Sequence, residues 1–245
     1  MFGLLTCLAL QWYVAGTLLT GESSKLSTRV RRSLPQSFFG RMLLTWFQPG
    51  PGSGYLFAAV NVCISVVTVL VLMLIGELLD FSRTDEELAW FGLLACAYVV
   101  LHLGFARLIV QVIRRFKTFT MFSVFLLHVI LLVAAIILPL IAQLFILWED
   151  DYTPLQVLNP LWTLVEAADG DVLSYGVPWI PFLPVVPVVV FGVAFVFFVA
   201  NVVTASLELR QQRTSVPDRV VEDEAALHPV AEPEFTPSSP WDEKS

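Results

Sequence analysis

The chain has 245 residues, of which 57% are hydrophobic and 14% charged, whereas a soluble domain carries about 25% charged residues. Charge is absent over long stretches and dense at the C-terminal end, which argues against a soluble core and for a polytopic membrane protein with a solvated tail. The formal net charge of -7 comes largely from that tail, and there is no basic face suited to nucleic acid.

A helix crossing a bilayer needs about 20 largely apolar residues. Five such stretches predict an all-α transmembrane bundle. Residues 1–20 are uncharged, with Trp12 and Tyr13 in their middle. They lack the basic leading region and small-residue cleavage site of a secretory signal, so they read as a true span. The loop that follows carries Lys25, Arg29, Arg31, Arg32 and Arg41 against one acid, Glu22. Within it, residues 37–47 set Phe38, Phe39, Leu43, Trp46 and Phe47 beside Arg41. That segment is too short to span and predicts an amphipathic helix at the cytoplasmic surface. The sequence QPGPGSG over 48–54 breaks it, and Ser53 is placed to cap the next span.

The second span is predicted over 55–79, with Glu77 at its far end, and the third over 88–113. The fourth, 118–148, is long and contains Pro139, so a tilt or kink is expected. The fifth covers 181–207. Residues 1–213 thus form the membrane domain. Residues 214–245, rich in proline and acids, predict a disordered cytoplasmic tail.

The loop charges alternate. The first loop is basic; residues 80–87 hold four acids and only Arg83; the turn Arg114–Lys117 is basic; residues 149–180 hold six acids and no Lys or Arg; Arg210 and Arg213 follow the last span. Positive charge marks the cytoplasmic side. The expectation is a multi-pass protein of the plasma or inner membrane with its N-terminus outside and its C-terminus inside.

No catalytic cluster emerges, so no enzyme and no cofactor are expected. Gly16 and Gly21 have phosphate-loop spacing, but Glu22 stands where the lysine belongs and would repel phosphate. PGSG at 51–54 has Pro51 where the GxSG of intramembrane serine proteases has glycine. Cys7, Cys63 and Cys96 sit in apolar runs without ligand spacing and read as small packing residues.

The sharpest intramembrane pair is His102 and His128, twelve residues before Arg114 and eleven after Lys117. Both fall roughly 17 Å from the cytoplasmic end, near mid-bilayer. Three roles stand open: one packing hydrogen bond each, contact with a proton or substrate, or ligation of a haem or metal. Arg107 can snorkel or line a pathway. Asn61 and Asn201, in otherwise apolar spans, suit helix-to-helix hydrogen bonds.

Between the fourth and fifth spans, LNPLWTLVEAADG over 158–170 has helix signals. Asn159 is a good N-cap, Pro160 a good first helical residue and Gly170 a natural stop. Leu161, Leu164, Val165 and Ala168 form an apolar stripe beside Trp162, with Glu166 and Asp169 off it. A helix over 160–169 is about 15 Å long, half a bilayer, so it lies on the outer surface or dips in and returns.

This Asn159–Pro160 helix before the last span, with a cytoplasmic C-terminus, resembles the membrane subunit of type-2 ABC exporters. The resemblance implies that the five spans match the last five of six, and that the basic loop with Arg31, Arg32 and Arg41 contacts the ATPase. It also implies a homodimer. No nucleotide-binding motif is present, so the ATP-binding subunit would be a separate chain. The acidic-Gly-Thr-Leu-Glu pattern of such permeases has no counterpart here. The alternatives are a non-catalytic membrane interaction or assembly protein using the acidic tail, and a bis-histidine haem protein.

Overall fold

The computed structural model describes residues 1–21, 51–79, 86–116, 120–147, 152–169, 176–177 and 180–214. The predicted surface helix over 37–47, Arg31, Arg32, Arg41, Gly170 and nearly all of the tail lie outside them. Among the described residues there are six α-helices, in chain order α1 Phe2–Gly21, α2 Pro51–Leu78, α3 Glu86–Arg114, α4 Met121–Ala142, α5 Pro160–Ala168 and α6 Val185–Thr214. All except α5 are long and apolar enough to cross a membrane. A π turn, Gln143–Leu147, extends α4, and a 3-10 turn, Pro154–Leu158, leads into α5.

Helix α3 is the centre. Of its most apolar stretch 72% is buried, against 17–33% for the other four long helices. Small residues make that position tolerable, because in lipid helix association depends on close backbone approach. A Cβ on Gly92 would stand 3.2 Å from Leu5, and one on Gly104 would stand 2.8 Å from Asn201 Nδ2. On α1, a Cβ on Gly16 would stand 2.6 Å from Leu103. Leu5, Val62, Leu94 and Leu103 form the fully buried middle where α1, α2 and α3 meet.

Three local expectations need correction. Helix α2 begins at Pro51, so Ser53 lies inside it and does not cap it. Proline is well suited to a first helical turn. Gly52 and Gly54 are packing residues: a Cβ on Gly52 would be 2.9 Å from Ala205 of α6, and one on Gly54 would be 2.7 Å from Leu19 of α1.

The last helix begins at Val185, and Ile180–Pro184 is a strand paired antiparallel with Gly176–Val177. Among the described residues the bundle is all-helical, as expected, apart from this one small hairpin ahead of the last helix. Pro181 and Pro184 disfavour helical backbone at the residues before them. Pro187 is accommodated because first-turn N–H groups have no intrahelical acceptor.

Asn61 does not bridge helices. Its Nδ2 donates to Phe57 O of its own helix at 2.7 Å.

Across the α2–α3 seam, Cys63 Sγ and Cys96 Sγ are 3.2 Å apart. A membrane-permeant oxidant acting on the purified full chain should join these two thiols and leave Cys7 free. Alkylation mapped by peptide mass spectrometry checks it. Cys63 and Cys96 both still open to alkylation after oxidation would show that α2 and α3 are not in this register.

Candidate functional site

The chemistry-bearing side chains gather in two clusters. The first joins the far end of α4 to α5. Pro139 lies inside α4, and proline cannot donate a backbone hydrogen bond, so the helix is weakened there and gives way to the π turn. Side chains of the segment 152–159 bond to the helix around this proline. Asn159 Nδ2 donates to Ile136 O at 3.2 Å, and Gln156 Nε2 donates to Pro139 O at 3.4 Å and to Gln143 Oε1. Asn159 Nδ2 also reaches Gln156 Oε1 at 3.1 Å. Thr153 Oγ1 donates to Gln143 Oε1 at 3.3 Å.

The other face of the same asparagine starts α5. Asn159 Oδ1 accepts from the N–H groups of Leu161 and Trp162, each at 3.2 Å, with Pro160 at the first helical position. Asn159 is thus both N-cap and bolt. Thr163 Oγ1 donates to Gln156 O at 2.8 Å, and Tyr98 of α3 donates to Val157 O at 2.7 Å. Trp162 Nε1 donates to Glu166 Oε1 at 2.8 Å, which sets both side chains along the helix.

The inward face of α5 takes only half of the apolar stripe, Leu164 and Ala168, which pack against the core. Pro160, Thr163 and Ala167 are buried, whereas Leu161 and Val165 are 56% and 53% exposed. The polar anchors dictate this rotation: Thr163 must reach Gln156 O and Tyr152 Oη. In lipid an outward apolar stripe costs nothing.

The second cluster ties α3 to α6. Arg107 is 1% exposed and runs sideways instead of snorkelling. Its Nη1 donates to Asn201 O at 3.1 Å, Asn201 Oδ1 at 2.7 Å and Thr204 Oγ1 at 3.1 Å. Its Nη2 meets Glu208 Oε1 at 3.1 Å, and Gln111 Nε2 donates to the same oxygen at 3.1 Å. Asn201 Nδ2 returns to Gly104 O at 3.1 Å, so it does link two helices.

The histidines belong to neither cluster. His102 Nδ1 lies 3.0 Å from Tyr98 O, and His128 Nδ1 lies 2.8 Å from Val124 O. Each ring thus bonds its own helix. Tyr13 of α1 donates to His128 O at 3.1 Å. His102, not His128, lines a cavity of about 290 Å³ between α1, α3, α4 and α5. Among the described residues no group of three or more His, Cys, Asp or Glu is placed to hold a metal.

The sequence reading missed Gln111, Gln143, Gln156, Thr204 and Glu208. One signal was available: Asn201, Thr204 and Glu208 are spaced i, i+3, i+7, a polar stripe on one helical face. Comparison with family models, curated proteins and solved structures finds no match to this chain.

Two substitution series check the clusters by thermal unfolding in detergent. Asn159→Asp keeps the capping oxygen but loses both Nδ2 bonds, and Asn159→Ala loses everything. Each should destabilise by about 2 kcal/mol or more. A tolerated aspartate beside a damaging alanine would mean that only the cap matters. Arg107→Met should cost about 2 kcal/mol or more, since it removes the donors to Asn201, Thr204 and Glu208. Adding Glu208→Gln should then cost little further; additive losses would show that the two side chains are not coupled.

Proposed function

We propose that this chain is the membrane-spanning subunit of a transporter in the class of type-2 ABC permeases, residing in the cell membrane and paired as a homodimer. A separate ATP-binding subunit drives it. The observation that carries this reading is α5: a capped helix of half-membrane length, bolted to the end of the fourth span immediately before the last one. That is the arrangement for which the sequence resembles such permeases.

The charge pattern supports the rest of the reading. The positive-inside rule puts the basic loops, with Arg31, Arg32 and Arg41, on the cytoplasmic side where an ATPase would dock. It puts α5 outside and the C-terminal tail inside. The Arg107–Glu208 cluster then lies toward the cytoplasmic ends of α3 and α6 and couples those helices near the docking loop. Movement imposed on the loop by the ATPase would reach the central helix through that connection.

Affinity purification of the full chain from its native membrane tests the proposal. An ATP-binding subunit should co-purify, and reversing Arg31, Arg32 and Arg41 to glutamate should release it. If no ATPase is captured and ATP leaves the conformation unchanged, the proposal fails. Capture that depends on residues 214–245 and on no ATPase would favour an assembly factor.

A further inference from the structure

The cavity lined by His102 has a one-sided polarity. Its wall is built from α1, α3, α4 and α5, with Pro160, Leu161 and Leu164 contributed by α5 and Leu132 and Ile136 by α4. Thr6, Tyr13, Tyr98 and His102 are the lining side chains able to donate a hydrogen bond. Every one of their protons is committed to a backbone carbonyl. Thr6 Oγ1 donates to Phe2 O at 2.9 Å, Tyr13 Oη to His128 O at 3.1 Å and Tyr98 Oη to Val157 O at 2.7 Å. His102 Nδ1 faces Tyr98 O, which only accepts, so the ring proton is on Nδ1. Nε2 is then a bare acceptor on a side chain that is only 8% exposed.

The cavity therefore offers apolar walls and hydrogen-bond acceptors, and no donor. Such a site selects a ligand that supplies the donor itself. A buried acceptor left unmatched is costly, so a matched one discriminates. At about 30 Å³ for each water-sized unit, 290 Å³ holds roughly ten non-hydrogen atoms. Small ligand sites of mostly apolar lining with few placed polar groups follow the same pattern.

We propose that this cavity is a binding site for a small lipophilic alcohol or phenol, whose hydroxyl donates to His102 Nε2. Carboxylates, ketones and ethers of the same size are excluded or weakly held, because they bring a second acceptor to an acceptor. This site does not depend on the transport reading, since binding needs no ATPase and no partner.

The test uses the full chain in lipid nanodiscs with two probes of equal size, para-butylphenol and para-butyltoluene. Equilibrium dialysis against empty nanodiscs subtracts partition into lipid. The phenol should show saturable binding about threefold to tenfold tighter than the toluene analogue, the range expected of one net hydrogen bond. His102→Leu should abolish that preference. Leu161→Trp, at an outward-facing position that also lines the cavity, should weaken both probes without touching the core. Equal affinity of the two probes for the unaltered chain would overturn the proposal. So would the absence of any saturable binding, or a preference that survives in folded His102→Leu protein.

Discussion

A polar group inside a bilayer has no water to bond, so whatever the chain buries it must also satisfy. That constraint organises both polar clusters. Pro139 lies inside the fourth long helix near its end, and the carboxamides of Gln156 and Asn159 donate to the carbonyls of Pro139 and Ile136 beside it. Pro139 O also accepts from the backbone N–H of Gln143, so the Gln156 amide is a second bond to that carbonyl. The end of α4 and the start of α5 are joined through these amides into one hydrogen-bonded unit. Arg107 meets the same demand at its two Nη atoms, while its Nε has no partner among the described residues. A guanidinium this deep needs acceptors on several sides, and α6 provides a carbonyl, a carboxamide, a hydroxyl and a carboxylate.

The central place of α3 follows from its neighbours' demands. It gives Tyr98 to the turn before α5, Gly104 O to Asn201 and Arg107 to α6. A helix with so many partners must be surrounded, and its glycines and alanines let the others approach. The outer helices carry large apolar side chains on their free faces, such as Ile64, Leu72, Phe195 and Val196, which is the composition that a lipid environment accepts.

The sequence made the spans legible because hydropathy accumulates over a segment and needs no knowledge of neighbours. It also marked the start of α5, since the N-cap signal of Asn159 and Pro160 is local. What stayed hidden depends on partners. The apolar stripe of α5 did not say which residues would pack inward, and Thr163 does so because Gln156 and Tyr152 hold it. Asn61 and Asn201 look alike in sequence, and only the second has a carbonyl across from it, at Gly104. Ser53 reads as a cap until Pro51 is seen to start the helix. Gln111, Gln143 and Thr204 lie inside predicted spans and Gln156 and Glu208 outside them, and none shows a role until its facing helix is known.

The central claim is that the end of α4 and the helix α5 form one hydrogen-bonded unit. Hydrogen–deuterium exchange on the full chain in nanodiscs, comparing the unaltered protein with Gln156→Leu, tests it most directly. Loss of that carboxamide should raise exchange in 139–147 and in 160–168 together. Faster exchange confined to the residues beside position 156, with the end of α4 unchanged, would contradict it.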